Sequence, residues 1–323
     1  MLSEVMEHYG LNRDFSHAGY FETEHHRQLL KELKSAIKHG QMIAFCGIVG
    51  CGKSTTVKAI KQELAKEKEI LVSNSLSVEK AKVNLGTLMT ALFYDLITEK
   101  DFKVPTQPER RERALQALIK KRQKPVVLFV DDAHDLHGKT LTALKRLIEV
   151  VQEGDGILSI ILIGHPKLKN DLRRPSMEEI GSRTALLPHE GIQGEKSAYI
   201  NWLFENCLKK SVKRKEIITD DALAILADKL TTPLQIEQYL RLAFDEGYKI
   251  GQKPVEADVI ESVLAKDINA TEPQLTRYGY NVKNLAELLD TKPAEIRSFL
   301  HGKLTPARAQ EIHNSLLAMG LPI

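Results

Sequence analysis

At 323 residues the chain has room for two domains and a small third unit, and with 42% hydrophobic and 28% charged residues it excludes wholesale disorder and coiled-coil architecture. A net charge of +3 selects no partner by itself, so nucleic-acid binding must rest on local patches. The longest apolar runs, Val126–Val130 and Ile157–Ile163, fall far short of the roughly 18 residues of a membrane span, the first residues carry acid instead of a signal-like progression, and Cys46, Cys51 and Cys207 form neither a disulfide framework nor a zinc spacing; a cytoplasmic protein is expected.

In chain order, Leu29, Leu30, Leu33 and Ile37 recur at helical spacing up to Gly40. Met42 to Cys46 reads as a buried strand that runs directly into Gly47-Ile48-Val49-Gly50-Cys51-Gly52-Lys53-Ser54-Thr55, after which Val57, Ile60 and Leu64 continue as a helix. A second strand is expected over 69–73, a helix around 85–97, a polar link with Pro105 and Pro108, and a helix over 111–122. The apolar strand Val126–Val130 ends in Asp131 and Asp132; a helix over 141–151 and a buried strand over 157–163 follow. Such alternation predicts an α/β fold with a parallel sheet flanked by helices. From Glu195 on the pattern is helical, over 197–208, 220–230, 234–248 and 256–264; a polar joint at 267–274 then leads to three short helices. The expected division is an α/β domain with an N-terminal extension (1–194), a helical lid (195–266) and a C-terminal helical domain (267–323).

Gly47 to Ser54 fits G-x-x-x-x-G-K-[ST] at every fixed position, in the strand, loop, helix context that the motif requires. The glycines let backbone N–H groups turn inward on a polyphosphate, and the helix N-terminus adds a favourable dipole. ATP and Mg²⁺ are therefore the expected cofactors. Gly47, Gly50, Cys51, Gly52 and Thr55 belong to the loop, Lys53 reaches the β- and γ-phosphates, and Ser54 ligates Mg²⁺. Cys51 stands at a variable position where a small side chain is tolerated. On the acidic strand end, Asp131 holds Mg²⁺ through water and Asp132 polarises the attacking water.

The order of phosphate loop, acidic strand, third apolar strand and helical lid resembles AAA+ ATPases, in particular the branch of ExeA and the transposition regulators TnsC, TniB, IstB and the phage Mu B protein. The resemblance covers about residues 8 to 265. It rests on Tyr9-Gly10-Leu11, on Val130-Asp131-Asp132-Ala133-His134-Asp135-Leu136 in place of I-D-E-A-Q-x-L, and on Leu162-Ile163-Gly164-His165-Pro166-Lys167-Leu168 in place of L-V-G-Q-P-x-L. It implies a P-loop NTPase (AAA+) sheet with a helical lid. It also implies that His165 senses the γ-phosphate or its water, and that Arg183 is an arginine finger to a neighbouring subunit's ATP, with Arg173 and Arg174 as competitors. Two departures stand out. Asp132 replaces the usual Glu, one methylene shorter, which predicts slow hydrolysis. Thr231-Thr232-Pro233-Leu234 replaces G-x-P-R, leaving Gln235 or Arg241 as substitutes for the sensor arginine.

Outside these motifs, His25 and His26 either frame a nucleotide base with Tyr20 and Phe21 or are ordinary surface residues at a helix start. At the C-terminus, 282–289, a turn at Asp290-Thr291-Lys292-Pro293, and 294–301 resemble a helix-turn-helix, with Ile296, Phe299 and Leu300 facing inward. Lys292, Arg297 and Lys303 are its candidate DNA contacts, with His301 beside them; docking to a protein is the other reading. By the resemblance, Lys80 and Lys82 are the preferred backbone contacts on a DNA-facing surface. Further basic clusters lie at Lys120-Lys121-Arg122 with Lys124 and at 209–215. Together these residues predict an ATPase that oligomerises on double-stranded DNA and regulates a transposase, with no membrane partner. An ExeA-like ATPase of a secretion machine, or a replication loader, is the alternative; ExeA relatives carry a transmembrane helix and a wall-binding module that this sequence does not show.

Overall fold

The computed structural model describes residues 1–75, 83–98, 102–265 and 268–323. From the N-terminus run α1 (Ser3–Tyr9), α2 (Glu24–Lys38), β1 (Met42–Cys46), α3 (Lys53–Glu67), β2 (Leu71–Asn74), α4 (Leu85–Leu96) and α5 (Pro108–Arg122). Next come β3 (Val126–Val130), α6 (Gly138–Glu153), β4 (Leu158–Gly164), α7 (Pro166–Leu172), α8 (Glu178–Gly181) and β5 (Thr184–Pro188). The rest is helical: α9 (Lys196–Cys207), α10 (Asp220–Lys229), α11 (Pro233–Ile250), α12 (Ala257–Val263), α13 (Thr271–Arg277), α14 (Val282–Leu288), α15 (Pro293–Leu300) and α16 (Pro306–Ala318).

Two compact units emerge. One comprises residues 23–47 and 53–189, the other residues 1–22, 48–52 and 190–323. The first holds a five-stranded parallel sheet in the order β2-β3-β4-β1-β5. Every residue of β1, β3 and β4 is buried, because helices cover both faces, and this is why these strands read as continuous apolar runs. On one face Leu88, Leu92, Leu144 and Val151 pack on Leu128 and Ile160; on the other Leu33, Ile37, Ile60 and Leu64 pack on Ile43, Phe129 and Ile161.

The sheet has one strand more than the sequence pattern suggests. Residues Thr184–Pro188 pair with β1 at the edge, half-buried along most of their length and ending in proline, so neither an apolar run nor clean alternation marks them. The second strand begins at Leu71, two residues later than expected.

In the other unit, α1 and residues 11–21 pack on α9 to α12 through Tyr9, Phe15, Phe204 and Phe244, whose rings meet edge-on or tilted at 4.5–6.3 Å. A separate small core, including Leu275, Tyr280, Leu285, Ile296, Ile312 and Leu316, joins α13 to α16. The C-terminal block thus has four helices where the sequence suggested three. The extra one, α13, lies in the stretch read as a polar joint, its helical pattern obscured by Pro273 and by the shortness of its apolar stripe. No helix among the described residues is long and apolar enough to cross a membrane.

Candidate active site

Sheet register assembles the candidate site. Cys46 pairs with Gly164 across β1 and β4, and Val130 pairs with Leu162 across β3 and β4. Three strands therefore end side by side, and the residues that follow them, Gly47, His165 and the pair Asp131-Asp132, emerge at one edge of the sheet. This is the carboxyl edge, where open parallel sheets hold ligands. The Gly47 N–H donates to the Gly164 carbonyl at 3.2 Å, tying the root of the glycine loop to the end of β4.

Within the loop, Gly50 (φ 80°) and Gly52 (φ 99°) occupy the left-handed region, which turns successive backbone N–H groups to one side. Cys51 is buried, in keeping with a small packed side chain. The helix α3 opens directly on Lys53 with no acidic residue in its first turn, so its positive end is not offset from within. Lys53 Nζ donates to the Gly47 carbonyl at 2.8 Å. Ser54 and Asp131 line one cavity of about 470 Å³ together with Lys58, Lys61 and Asn74. A hydroxyl and a carboxylate lining the same cavity are oxygen donors suited to Mg²⁺, and the residues present fit that ion. Thr55 is exposed on the same turn.

Lys61 had no part in the sequence reading. Its ammonium lies 4.6 Å from the centre of the Phe129 ring; burial pulls its pKa down, and the charge of Asp131 opposes that shift. Lys61 stands on the motif helix itself, about two turns after Lys53, and could have been singled out by that i+8 spacing, which returns it to a neighbouring face of α3.

Asp132 adopts a left-handed conformation (φ 48°), and its N–H donates to Asp131 Oδ1 at 2.9 Å. The bend directs the chain into a short 3₁₀ turn, Ala133–Asp135. That turn carries His134 against His165, ring centres 3.9 Å apart and planes 26° from parallel. His165 itself caps α7, with Pro166 in the helix's first position. Sequence reasoning singled out His165 but not His134; only the register of β3 against β4 reveals the pair.

His26 stands at a helix start, as one reading has it, but away from the surface. It is buried, its Nδ1 accepts from the Thr23 N–H at 3.3 Å in a capping box, and its ring stacks on His189 at 5.2 Å. His25 is exposed.

Arg183 is exposed and donates to the Glu179 carbonyl at 3.2 Å; Arg173 is also exposed, whereas Arg174 pairs with Asp171 at 2.9 Å. In the helical unit, Gln235 closes a capping box with Thr232, its Oε1 accepting from the N–H groups of Thr231 (2.9 Å) and Thr232 (3.2 Å). These bonds occupy its Oε1 only. Arg241 is exposed. The loop residues that belong to this unit are held by backbone bonds: Leu234 N–H donates to the Gly50 carbonyl at 3.2 Å, and Val49 N–H donates to the Arg277 carbonyl at 2.9 Å.

Among the candidate DNA contacts, Lys292, Arg297 and Lys303 are all exposed, as is His301. Ile296 is buried as expected, and Glu295 on the neighbouring position is engaged by Arg308 at 2.6 Å. Lys80 and Lys82 lie outside the described residues.

Comparison with known proteins agrees with this geometry. Residues 35–172 match the family model of an AAA domain. General secretion pathway protein A of Aeromonas hydrophila is 26% identical over 177 residues, 52% of this chain, and the chain spans only 30% of that relative's length. Among solved structures, the ORC2 protein of Aeropyrum pernix in ADPNP–ADP complexes superposes with a TM-score of 0.58 at 16% identity, covering 97% of this chain and 91% of that one. CDC6P from Pyrobaculum aerophilum gives 0.55 at 15% identity over 96% and 91%, and Drosophila ORC bound to DNA gives 0.55 at 14% over 94% and 82%. At these identities the likeness is one of fold. Strand order, glycine loop and superposition agree on the fold, a P-loop parallel sheet flanked by helices of the AAA+ kind, in which residues 35–172 are similar to an AAA domain.

Proposed function

We propose that the protein is a Mg²⁺-dependent ATP hydrolase that oligomerises on double-stranded DNA in its ATP state and regulates a transposase by selecting or delivering target DNA. The observation that carries the hydrolytic part is the register that brings Gly47, Asp131, Asp132 and His165 to one sheet edge. Lys53 and the loop N–H groups hold the triphosphate, and Ser54 with Asp131 would hold Mg²⁺. When bound, that ion neutralises charge on the β- and γ-phosphate oxygens. Asp132 orients the attacking water and takes up its proton; its short side chain keeps turnover slow. His165 donates to the γ-phosphate or to that water.

Arg183, exposed at the start of β5, completes a neighbouring protomer's site. A finger in trans makes assembly and ATP binding interdependent. If DNA favours the same assembled state, ATP and DNA must strengthen each other's binding by equal factors. The exposed cations Lys292, Arg297 and Lys303 on the helix-turn-helix-like pair support the DNA part, and the cytoplasm is the compartment such a partner implies. A second reading, an ATPase serving a secretion machine, is favoured by the match to general secretion pathway protein A.

Fluorescence anisotropy of a labelled random-sequence duplex separates the two. Binding that requires ATP and weakens with salt is expected; no binding with ATP, ADP or neither rejects the DNA-regulator reading and favours the secretion one.

A further inference from the structure

The paired imidazoles have a third neighbour. One donor atom each from Asp132, His134 and His165 lies within 4.8 Å of the others, and all three side chains are half-buried. They come from two adjacent strand ends, Asp132 and His134 from the turn after β3 and His165 from the end of β4, so their backbones are fixed by the sheet. Gly164 lets His134 pack closely on the end of β4: a Cβ there would sit 3.4 Å from His134 Nδ1 and 3.2 Å from Leu168 Cδ2. Two imidazole nitrogens and one carboxylate form a donor set for borderline divalent cations, whereas Mg²⁺ takes oxygen.

We propose that Asp132, His134 and His165 bind a divalent transition cation of the Zn²⁺ class, at a site separate from the Ser54 and Asp131 pair. Zinc bonds of about 2.0–2.1 Å place tetrahedral donors about 3.3 Å apart, so the side chains close on the ion by up to about 1.5 Å, within reach of χ rotations. Three protein ligands leave a coordination position open. The site has a regulatory consequence that rests on the hydrolysis reading above: an ion held there occupies the carboxylate that would otherwise orient water. Zinc occupancy and ATP turnover then exclude each other.

The test uses the full-length protein without nucleotide, titrated with Co²⁺ for its visible d–d absorption and with Zn²⁺ by calorimetry. One equivalent per chain is expected, with affinity lowered about tenfold or more in His134→Gln and in His165→Gln, and lost in the double variant. His26→Gln, in the other stacked histidine pair, should bind as the wild type does. No binding by the wild type, retention in the double variant, or equal loss in His26→Gln overturns the site. Because no nucleotide is present, such a failure leaves the hydrolysis reading standing. As a second readout, stoichiometric Zn²⁺ should slow ATP turnover of the wild type and not of His134→Gln; equal slowing overturns the proposed exclusion.

Discussion

The strand ends of the α/β unit and the helix pair at the C-terminus both present polar side chains of the kinds that bind phosphate, but they fix them by different means. At the strand ends the backbone is set by parallel pairing on both sides of β4 and β1, and the residues that follow inherit that register. In the C-terminal block, Lys292, Arg297 and Lys303 stand exposed on short helices around a small apolar core, and Glu295 on the same helix is already paired with Arg308. Position at the first site is therefore a property of the backbone, and a single substitution there should act on ATP binding or turnover and leave the fold in place. Affinity at the second is a sum of small, exposed charge terms.

The largest effect expected from this contrast is on turnover. Asp132→Asn should retain ATP binding and lower the hydrolysis rate by about 10²–10⁴-fold, the range for losing a positioned base; a single-turnover assay decides, and undiminished hydrolysis would assign the role to another group. Lys53→Ala should weaken ATP binding by about 2–5 kcal/mol, as for truncating one partner of a desolvated charge pair, and should abolish ATP-dependent assembly with it. Equilibrium dialysis and sedimentation read both; unchanged affinity would end the phosphate-loop assignment. Neither variant should shift the melting temperature of the protein appreciably.

In the C-terminal block the order of effects reverses, with stability responding more than binding. Ile296→Ala removes a fully buried side chain from the small core and should cost about 2–5 kcal/mol of that block's stability, visible as early loss of amide protection in α13 to α16. Arg297→Ala, on the exposed face of α15, should leave stability unchanged and lower the slope of log affinity for duplex DNA against log salt by about one. An unchanged salt slope would move the block to protein docking. The backbone bond from Val49 to the Arg277 carbonyl adds a condition on any truncation: removing residues 275–323 also removes a partner of the glycine loop, so it is not a neutral deletion.

The same contrast explains what was legible in advance. Strands β1, β3 and β4 are buried on both faces and announce themselves as apolar runs, and the glycine loop needs only its own spacing. What escaped depends on partners distant in sequence. The edge strand β5 has one paired neighbour and a proline end; α13 hides among polar residues; and the meeting of His134 with His165 follows from register, which no local pattern encodes. The cap that engages Gln235 was readable, since Thr232 and Gln235 have capping-box spacing.

The smallest predicted effect belongs to the helical unit's own buried polar pair. Tyr199 donates its hydroxyl to Glu237 Oε1 at 2.5 Å inside the cluster formed by α9 and α11. Burial raises the pKa of Glu237 above the ordinary carboxylate value, the Tyr199 bond opposes that shift and the charge of Asp14 adds to it. Burial likewise holds the Tyr199 phenol protonated, its pKa pushed far up. A carboxyl whose folded-state pKa is raised binds its proton more tightly in the folded protein. Its contribution is therefore fully present below the unfolded value, about 4.3, and is lost as pH rises through the raised folded value. Glu237→Gln keeps an oxygen for the Tyr199 hydroxyl but cannot ionise, so it should escape that loss. Thermal melts should show the variant gaining on the wild type between pH 4 and pH 8, by on the order of a degree or two. A gap that stays constant with pH would mean that Glu237 ionises in the folded protein as readily as in the unfolded chain, and that burial of the α9 and α11 cluster leaves this carboxyl's proton affinity unchanged.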